Sequence, residues 1–182
     1  MPQSLKKIVV VGPESTGKSS LCEGLAAHFQ ASWVPEYARE YLLKHGMGYR
    51  YEDLVTIARG QLELEDRLVA AAESRGESMI FIDTDLYVMK VWGEFVFGRC
   101  DRWILDQINE RHYDAYLLPR TDLPWTKDEL REYPDLLSRE KLFHIYRDIL
   151  INQPVPWAEV GGEGQQRLEA GIDAVNRLVN HT

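Results

Sequence analysis

Gly12-Pro13-Glu14-Ser15-Thr16-Gly17-Lys18-Ser19 satisfies the pattern G-x-x-x-x-G-K-[ST]. It stands between the apolar run Ile8-Val9-Val10-Val11 and a stretch of helix-forming residues. The chemistry this pattern serves is the holding of a triphosphate. Glycines let the backbone approach closely, so that successive N–H groups of Glu14, Ser15, Thr16, Gly17 and the following turn through Ser20 can wrap phosphate oxygens. The positive end of the helix beginning near Gly17 adds attraction. Lys18 is expected to reach the β- and γ-phosphates of ATP, and the Ser19 hydroxyl to ligate Mg²⁺.

Two carboxylates follow short apolar runs. Asp83 ends Met79-Ile80-Phe81-Ile82, where a carboxylate can hold the magnesium of a bound nucleotide; the plainer reading is a cap on the next helix. Asp85 could cap that helix or reach substrate. In VPEYAREYL, Glu36, Arg39 and Glu40 fall on one helical face, and Tyr37 and Tyr41 on another. A carboxylate at Glu36 could align an attacking hydroxyl, chiefly as an orienter, since an ordinary Glu has a pKa of about 4.3. Asp85, Met89 and Trp92 are spaced at i, i+4 and i+7. Aromatic rings beside carboxylates suit a flat, positively charged ring, against the alternative that each aromatic simply packs in the core.

These residues need elements to position them. KKIVVV (6–11), SWV (32–34), MIFID (79–83), AYLL (115–118) and VPWAEV (155–160) read as short buried strands. Between them, helices are expected over about 17–29, 36–45, 52–75, from 85, 101–111, 139–151 and after GGEG to the end. The alternation implies parallel strands with helical crossovers, a three-layer α/β domain without internal repeat or linker. Residues 119–138, rich in proline and charge, break the pattern. They could close over the reactants as a lid bearing Arg120, Lys127, Arg131 and Arg139, or form a plain surface insertion.

The bulk properties narrow the class. A chain of 182 residues, 45% hydrophobic and 27% charged, is expected to build one core, so residues 1–182 read as a single domain. A net charge of −8 argues against nucleic acid as the main partner. Cys22 and Cys100 have no metal-ligand spacing, and no segment has signal-peptide or membrane-spanning character, so a reducing cytoplasm without membrane attachment is the expected setting.

GPESTGKSSL, VPEYAREYL, FIDTDLYVMKVW and DLPWTKDELRE together resemble the ribosylnicotinamide kinase domain of NadR-type proteins, within the P-loop kinase-like ATPases. The resemblance implies a P-loop nucleoside-kinase-like fold, with a mostly parallel five-stranded sheet and a helical lid at about 119–138. It implies ATP- and Mg²⁺-dependent phosphorylation of the 5′-hydroxyl of nicotinamide riboside, giving nicotinamide mononucleotide. Carried onto this sequence, Lys18 and Ser19 hold ATP and magnesium, Glu36 and Asp83 are the acceptor-side and metal-side carboxylates, and Arg131 is the lid arginine. GGEGQQR looks like the loop that edges the adenine, with Arg167 nearby. Two departures stand out: the chain starts at the kinase strand, without the upstream domains of multifunctional relatives, and the lid reads Asp128-Glu129-Leu130-Arg131 where glycine is expected before the Leu-Arg pair. The expected acceptor-binding group is Glu36, Tyr37, Arg39, Asp85 and Trp92. A monophosphate acceptor would call for further cations beside Arg39. The competing readings are a kinase for another nucleoside, and a regulatory nucleotide switch acting through protein contacts. Oligomeric state is not legible.

Overall fold

A computed structural model describes residues 4–125, 130, 132 and 135–179. Its frame is one five-stranded parallel sheet in the order β2-β3-β1-β4-β5. The strands are β1 (Lys6–Val10), β2 (Ser32–Val34), β3 (Met79–Asp83), β4 (Ala115–Pro119) and β5 (Trp157–Val160). The inner strands are almost wholly buried because helices cover both faces, which is why β1, β3 and β4 read as continuous apolar runs. Chain order reverses at β1, whose neighbours are β3 and β4, and such a switch point opens a crevice at the carboxyl ends of the strands.

Two layers pack on the sheet. Helix α1 (Lys18–Phe29) and α7 (Gly164–Val179) cover one face, where Leu21, Leu25 and Val175 meet Ile8, Phe81 and Leu117. On the other face, α3 (Tyr51–Ser74), α4 (Leu86–Phe97) and α6 (Leu136–Ile151) cover Val9, Ile80, Ile82 and Leu118. Helices α2 (Tyr37–His45) and α5 (Arg102–Glu110) join α3 and α4 in a third apolar cluster built on Ala38, Ile57, Leu86 and Ile104. The expected element order is observed. Helix α6 begins at Leu136, so the segment between β4 and α6 is shorter than the 119–138 reading, and Leu136, Leu137 and Ser138 are helical. Within the segment expected as a helical lid, residues 120–125, 130, 132 and 135 are turn or irregular and helix starts only at Leu136; residues 126–129, 131, 133 and 134 lie outside the described ones.

Register sets the site. Val10 of β1 lies beside Asp83 of β3, and the Thr84 N–H donates to the Val10 carbonyl at 3.0 Å. The turn after β1 and the carboxylate ending β3 therefore leave the sheet side by side.

Candidate active site

The turn from β1 into α1 is shaped for an anion. Gly12 has φ +148° and Gly17 φ +74°, both in the region that favours glycine, and a Cβ at Gly17 would stand 3.1 Å from Leu123 Cδ1. Gly17 caps α1 without any side-chain cap, and the first turn carries no acidic residue, so its amides keep their positive field for a ligand. Within the loop, the Thr16 hydroxyl and Lys18 Nζ donate to the Pro13 carbonyl at 2.8 and 2.9 Å. The buried Ser15 hydroxyl makes no hydrogen bond among the described residues. A Lys ammonium held by one carbonyl, and an idle hydroxyl, are donors available to phosphate oxygens.

Asp83 receives the Ser19 hydroxyl on Oδ2 at 2.5 Å, while its buried Oδ1 has no partner among the described residues. An unpaired buried carboxylate oxygen is costly unless a cation or bound water completes it. Burial raises the carboxyl's pKa, offset in part by Lys18 and by the Ser19 hydrogen bond. Asp83 and Ser19 thus fit a hydrated divalent cation, in which the cation's charge would supply what the site lacks.

Glu36 stands before α2, at the wall of the same cavity. Burial pushes its carboxyl up to about 7, and the nearby Asp83 charge adds to the shift, with Lys18 and Arg39 pulling the other way. The orienter read from sequence therefore has the basicity of a useful proton acceptor near neutrality.

The cavity holds about 500 Å³, within the range of small-molecule sites. The phosphate loop from Gly12 to Ser20 lines part of it, and Trp33, Leu42, Met47, Val88, Trp92 and Phe95 add apolar lining. The ring of Trp92 is fixed: its indole N–H donates to the Tyr49 hydroxyl at 3.0 Å, and the two rings stand edge to face. Tyr49 in turn donates to the Glu132 carboxylate, and the Glu132 N–H donates to Glu14 at 3.0 Å. Glu14 also accepts from Trp125 at 3.4 Å, so the segment after β4 touches the phosphate loop directly.

Sequence reading missed Tyr146. Its residue lines the cavity from α6 and is 5% exposed, and its hydroxyl makes no hydrogen bond among the described residues. Burial and the Glu36 and Asp85 carboxylates keep this phenol protonated. In the sequence it passes for one more core position, in step with Leu142 and Ile149.

Gly12 through Ser20, Glu36, Arg39, Asp83 and Trp92 all line this cavity. Other expected site residues do not. Asp85 is the N-cap of α4, accepting from the Tyr87 N–H at 2.9 Å and from the Tyr116 hydroxyl at 2.7 Å. Its extended backbone takes it off the helical spacing with Met89 and Trp92, and Met89 is buried in the core. Tyr37 packs over Gly60 of α3, away from the cavity. The expected acidic-aromatic group is thus reduced to Glu36 and Trp92, with Arg39 beside them.

Arg167 is buried, donating to the carbonyls of Val160 and Arg120 and to Asp122, so its guanidinium ties β5 to the loop after β4 just behind Gly17. It does not line the large cavity. Arg139 is likewise buried and holds the Leu123 carbonyl, and Arg120 pairs with Glu159. Lys127 and Arg131 lie outside the described residues. Among the described residues no helix is long and apolar enough to cross a membrane.

A parallel sheet in this order, with a phosphate loop at its switch point and a cavity beyond it, defines a P-loop domain of the kinase type. The AAA domain model matches residues 7–167, and the chain belongs to that family. Two curated relatives are the trifunctional NAD biosynthesis/regulator proteins NadR of Salmonella typhimurium and Escherichia coli. They are 27% identical over 163 and 166 residues, which is 87% and 89% of this chain but 39% and 40% of theirs. The chain therefore spans about two fifths of the length of these relatives. Among solved structures, NadR in complex with NR superposes with a TM-score of 0.75 at 23% identity, covering 97% of this chain and 52% of that one. Thymidylate kinase from Ehrlichia chaffeensis superposes with a TM-score of 0.68 at 12% identity, over 96% and 99% of the two chains. The kinase-like fold is shared across all of them.

Proposed function

We propose that this protein is an ATP-dependent kinase of a small alcohol, with nicotinamide riboside the leading acceptor and nicotinamide mononucleotide the product. The observation that carries the reading is the cavity itself. A built anion cradle shares one cavity of about 500 Å³ with Asp83, Glu36 and the aromatic rings of Trp33, Trp92 and Phe95, and that cavity has room for a small molecule beside a nucleotide's phosphates. A site for hydrolysis alone needs room only for water. Likeness to NadR, one of whose structures holds NR and another NAD and AMP-PNP, supports the choice of acceptor.

In this reading the amides of residues 14–20 and Lys18 hold the triphosphate and offset charge on the transferring group. Ser19 and Asp83 hold Mg²⁺, which when bound neutralises developing charge on the phosphate oxygens. Glu36 accepts the acceptor hydroxyl's hydrogen bond and directs its lone pair at the γ-phosphorus. The new O–P bond forms as the bond from that phosphorus to the β–γ bridging oxygen breaks, and the hydroxyl proton passes to Glu36. Trp92 offers its face to the flat pyridinium ring. Arg39, on the acceptor side, supplies hydrogen-bond donors to a ribose hydroxyl; a monophosphate acceptor would call for further cations beside it. Arg131 is assigned to the transferring phosphoryl and Arg167 to framing the adenine side.

The test is a panel of nucleosides and nucleoside monophosphates offered with Mg²⁺ and ATP to the purified protein. ATP turnover should rise sharply only with nicotinamide riboside. Equal turnover with no acceptor would favour a nucleotide switch instead and sink the kinase reading.

A further inference from the structure

We infer that Gln61 is a positioning residue that caps helix α2 in place of Glu36 and so leaves the Glu36 carboxylate for the cavity. This rests on the role given to Glu36 above. Glu36 occupies the N-cap position of α2, with φ −70° and ψ 112°. A polar side chain at that position ordinarily turns back onto the exposed amides of the first turn. Glu36 makes no such bond. The first amide of the helix, Tyr37 N–H, instead donates to Gln61 Oε1 at 2.8 Å. Gln61 Nε2 reaches the Pro35 carbonyl at 3.5 Å. One carboxamide thereby spans the two peptide groups that flank Glu36, an N–H on one side and a C=O on the other.

The surrounding packing leaves Gln61 little freedom. It is 3% exposed, on α3 among Ile57, Ala58 and Leu62. Its neighbour Gly60 gives α3 and the start of α2 their close approach: a Cβ there would stand 2.0 Å from the Tyr37 ring. Because Tyr37 N–H can only donate, Oε1 must face it, and the amide orientation is fixed by chemistry. Only a neutral side chain with both a donor and an acceptor satisfies the two groups without placing another charge beside Glu36 and Asp83. With the helix end satisfied from α3, the Glu36 backbone is held while its carboxylate stays free to meet a hydroxyl.

The test compares Q61M, of similar length without hydrogen bonds, with Q61E, which keeps an acceptor for the Tyr37 N–H. It adds E36Q and the double variant Q61M/E36Q. In ATP-dependent phosphorylation of nicotinamide riboside, Q61M should lower kcat about tenfold or more with KM for ATP nearly unchanged, as expected when a transition-state contact is misplaced. Q61E should recover much of that loss at mildly acid pH, where its protonated carboxyl offers both an acceptor and a donor, and should lose the recovery as rising pH ionises it. In the E36Q background, Q61M should cost almost nothing further, since the two act as one unit. Q61M with wild-type kcat, or losses that simply multiply in the double variant, would overturn the inference. Wild-type protein that transfers nothing to nicotinamide riboside would instead overturn the proposed function, and this role with it. Melting curves check folding; if Q61M does not fold, Q61N, too short to span both groups, takes its place with the same expected split.

Discussion

At Glu36 the decisive effect is desolvation. Enclosed next to Asp83, the carboxyl prefers its protonated form up to about pH 7, and only above that does it offer a full charge to an acceptor hydroxyl. The free-enzyme profile of kcat/KM for the acceptor should therefore rise as pH increases through about 7. E36Q should flatten that limb and lower kcat by about 100-fold, the lower range for a positioned proton acceptor, with ATP affinity kept. Retained kcat would move the role to another group. In the proposed reading Lys18, whose ammonium here donates to the Pro13 carbonyl, serves the phosphates, and K18A should cost about 100- to 1,000-fold in turnover, as loss of one preorganised donor does elsewhere. The hydroxyl of Tyr146, without a hydrogen-bond partner among the described residues, should contact the acceptor. Y146F, which removes only that oxygen, should raise KM for the acceptor a few-fold to about tenfold, the worth of one uncharged hydrogen bond, and leave KM for ATP unchanged. An unchanged acceptor KM would return Tyr146 to a packing role.

At the scale of elements, the end of β3 assigns two aspartates to two jobs. Thr84 between them has φ +69°, an uncommon conformation for a β-branched residue, and this bend sends Asp83 to the cavity and Asp85 to the start of α4. D85A should lower stability by about 2–4 kcal/mol, since it removes a helix cap and strands the buried Tyr116 hydroxyl. D85N, which can still cap, should lose much less; equal losses in both variants would contradict the cap assignment. Sequence alone showed the strands, because β1, β3 and β4 are buried on both faces and are continuously apolar. It showed the phosphate loop, because its glycine spacing is local. It could not separate the roles of Asp83 and Asp85, which depend on a backbone bend at Thr84. Helical spacing also misplaced Tyr37 and Asp85, because one packs into the gap left by Gly60 and the other precedes the helix. Gln61 and Tyr146 carry no local signal at all: each gains its role only when α3 or α6 is packed against the start of α2 or the cavity.

For the whole molecule, the buried carboxyls make stability depend on pH. Glu36 and Asp85, both pushed up to about 7 chiefly by burial, bind protons more tightly folded than unfolded. Stability from these groups is present at mildly acid pH and falls as pH rises from the ordinary carboxylate range of about 4 to about 7. Asp66, Glu77 and Asp135, held low mainly by hydrogen bonds to their neighbours, act oppositely: their contribution is lost as pH falls below that range. Denaturant unfolding should thus show less stability at pH about 8 than at about 5, and the E36Q/D85N double variant should flatten that fall. An unaltered slope would contradict the burial of these two groups. The phosphate loop, the paired acidic groups and the aromatic residues meet because β1 lies at the sheet's switch point, and the kinase reading turns on where the phosphoryl group goes from there. Purified protein with Mg²⁺ and γ-labelled ATP, given nicotinamide riboside, reads out that destination. Label should appear in an organic monophosphate in proportion to ATP consumed; label found only as inorganic phosphate would show hydrolysis without transfer and rule out the kinase reading.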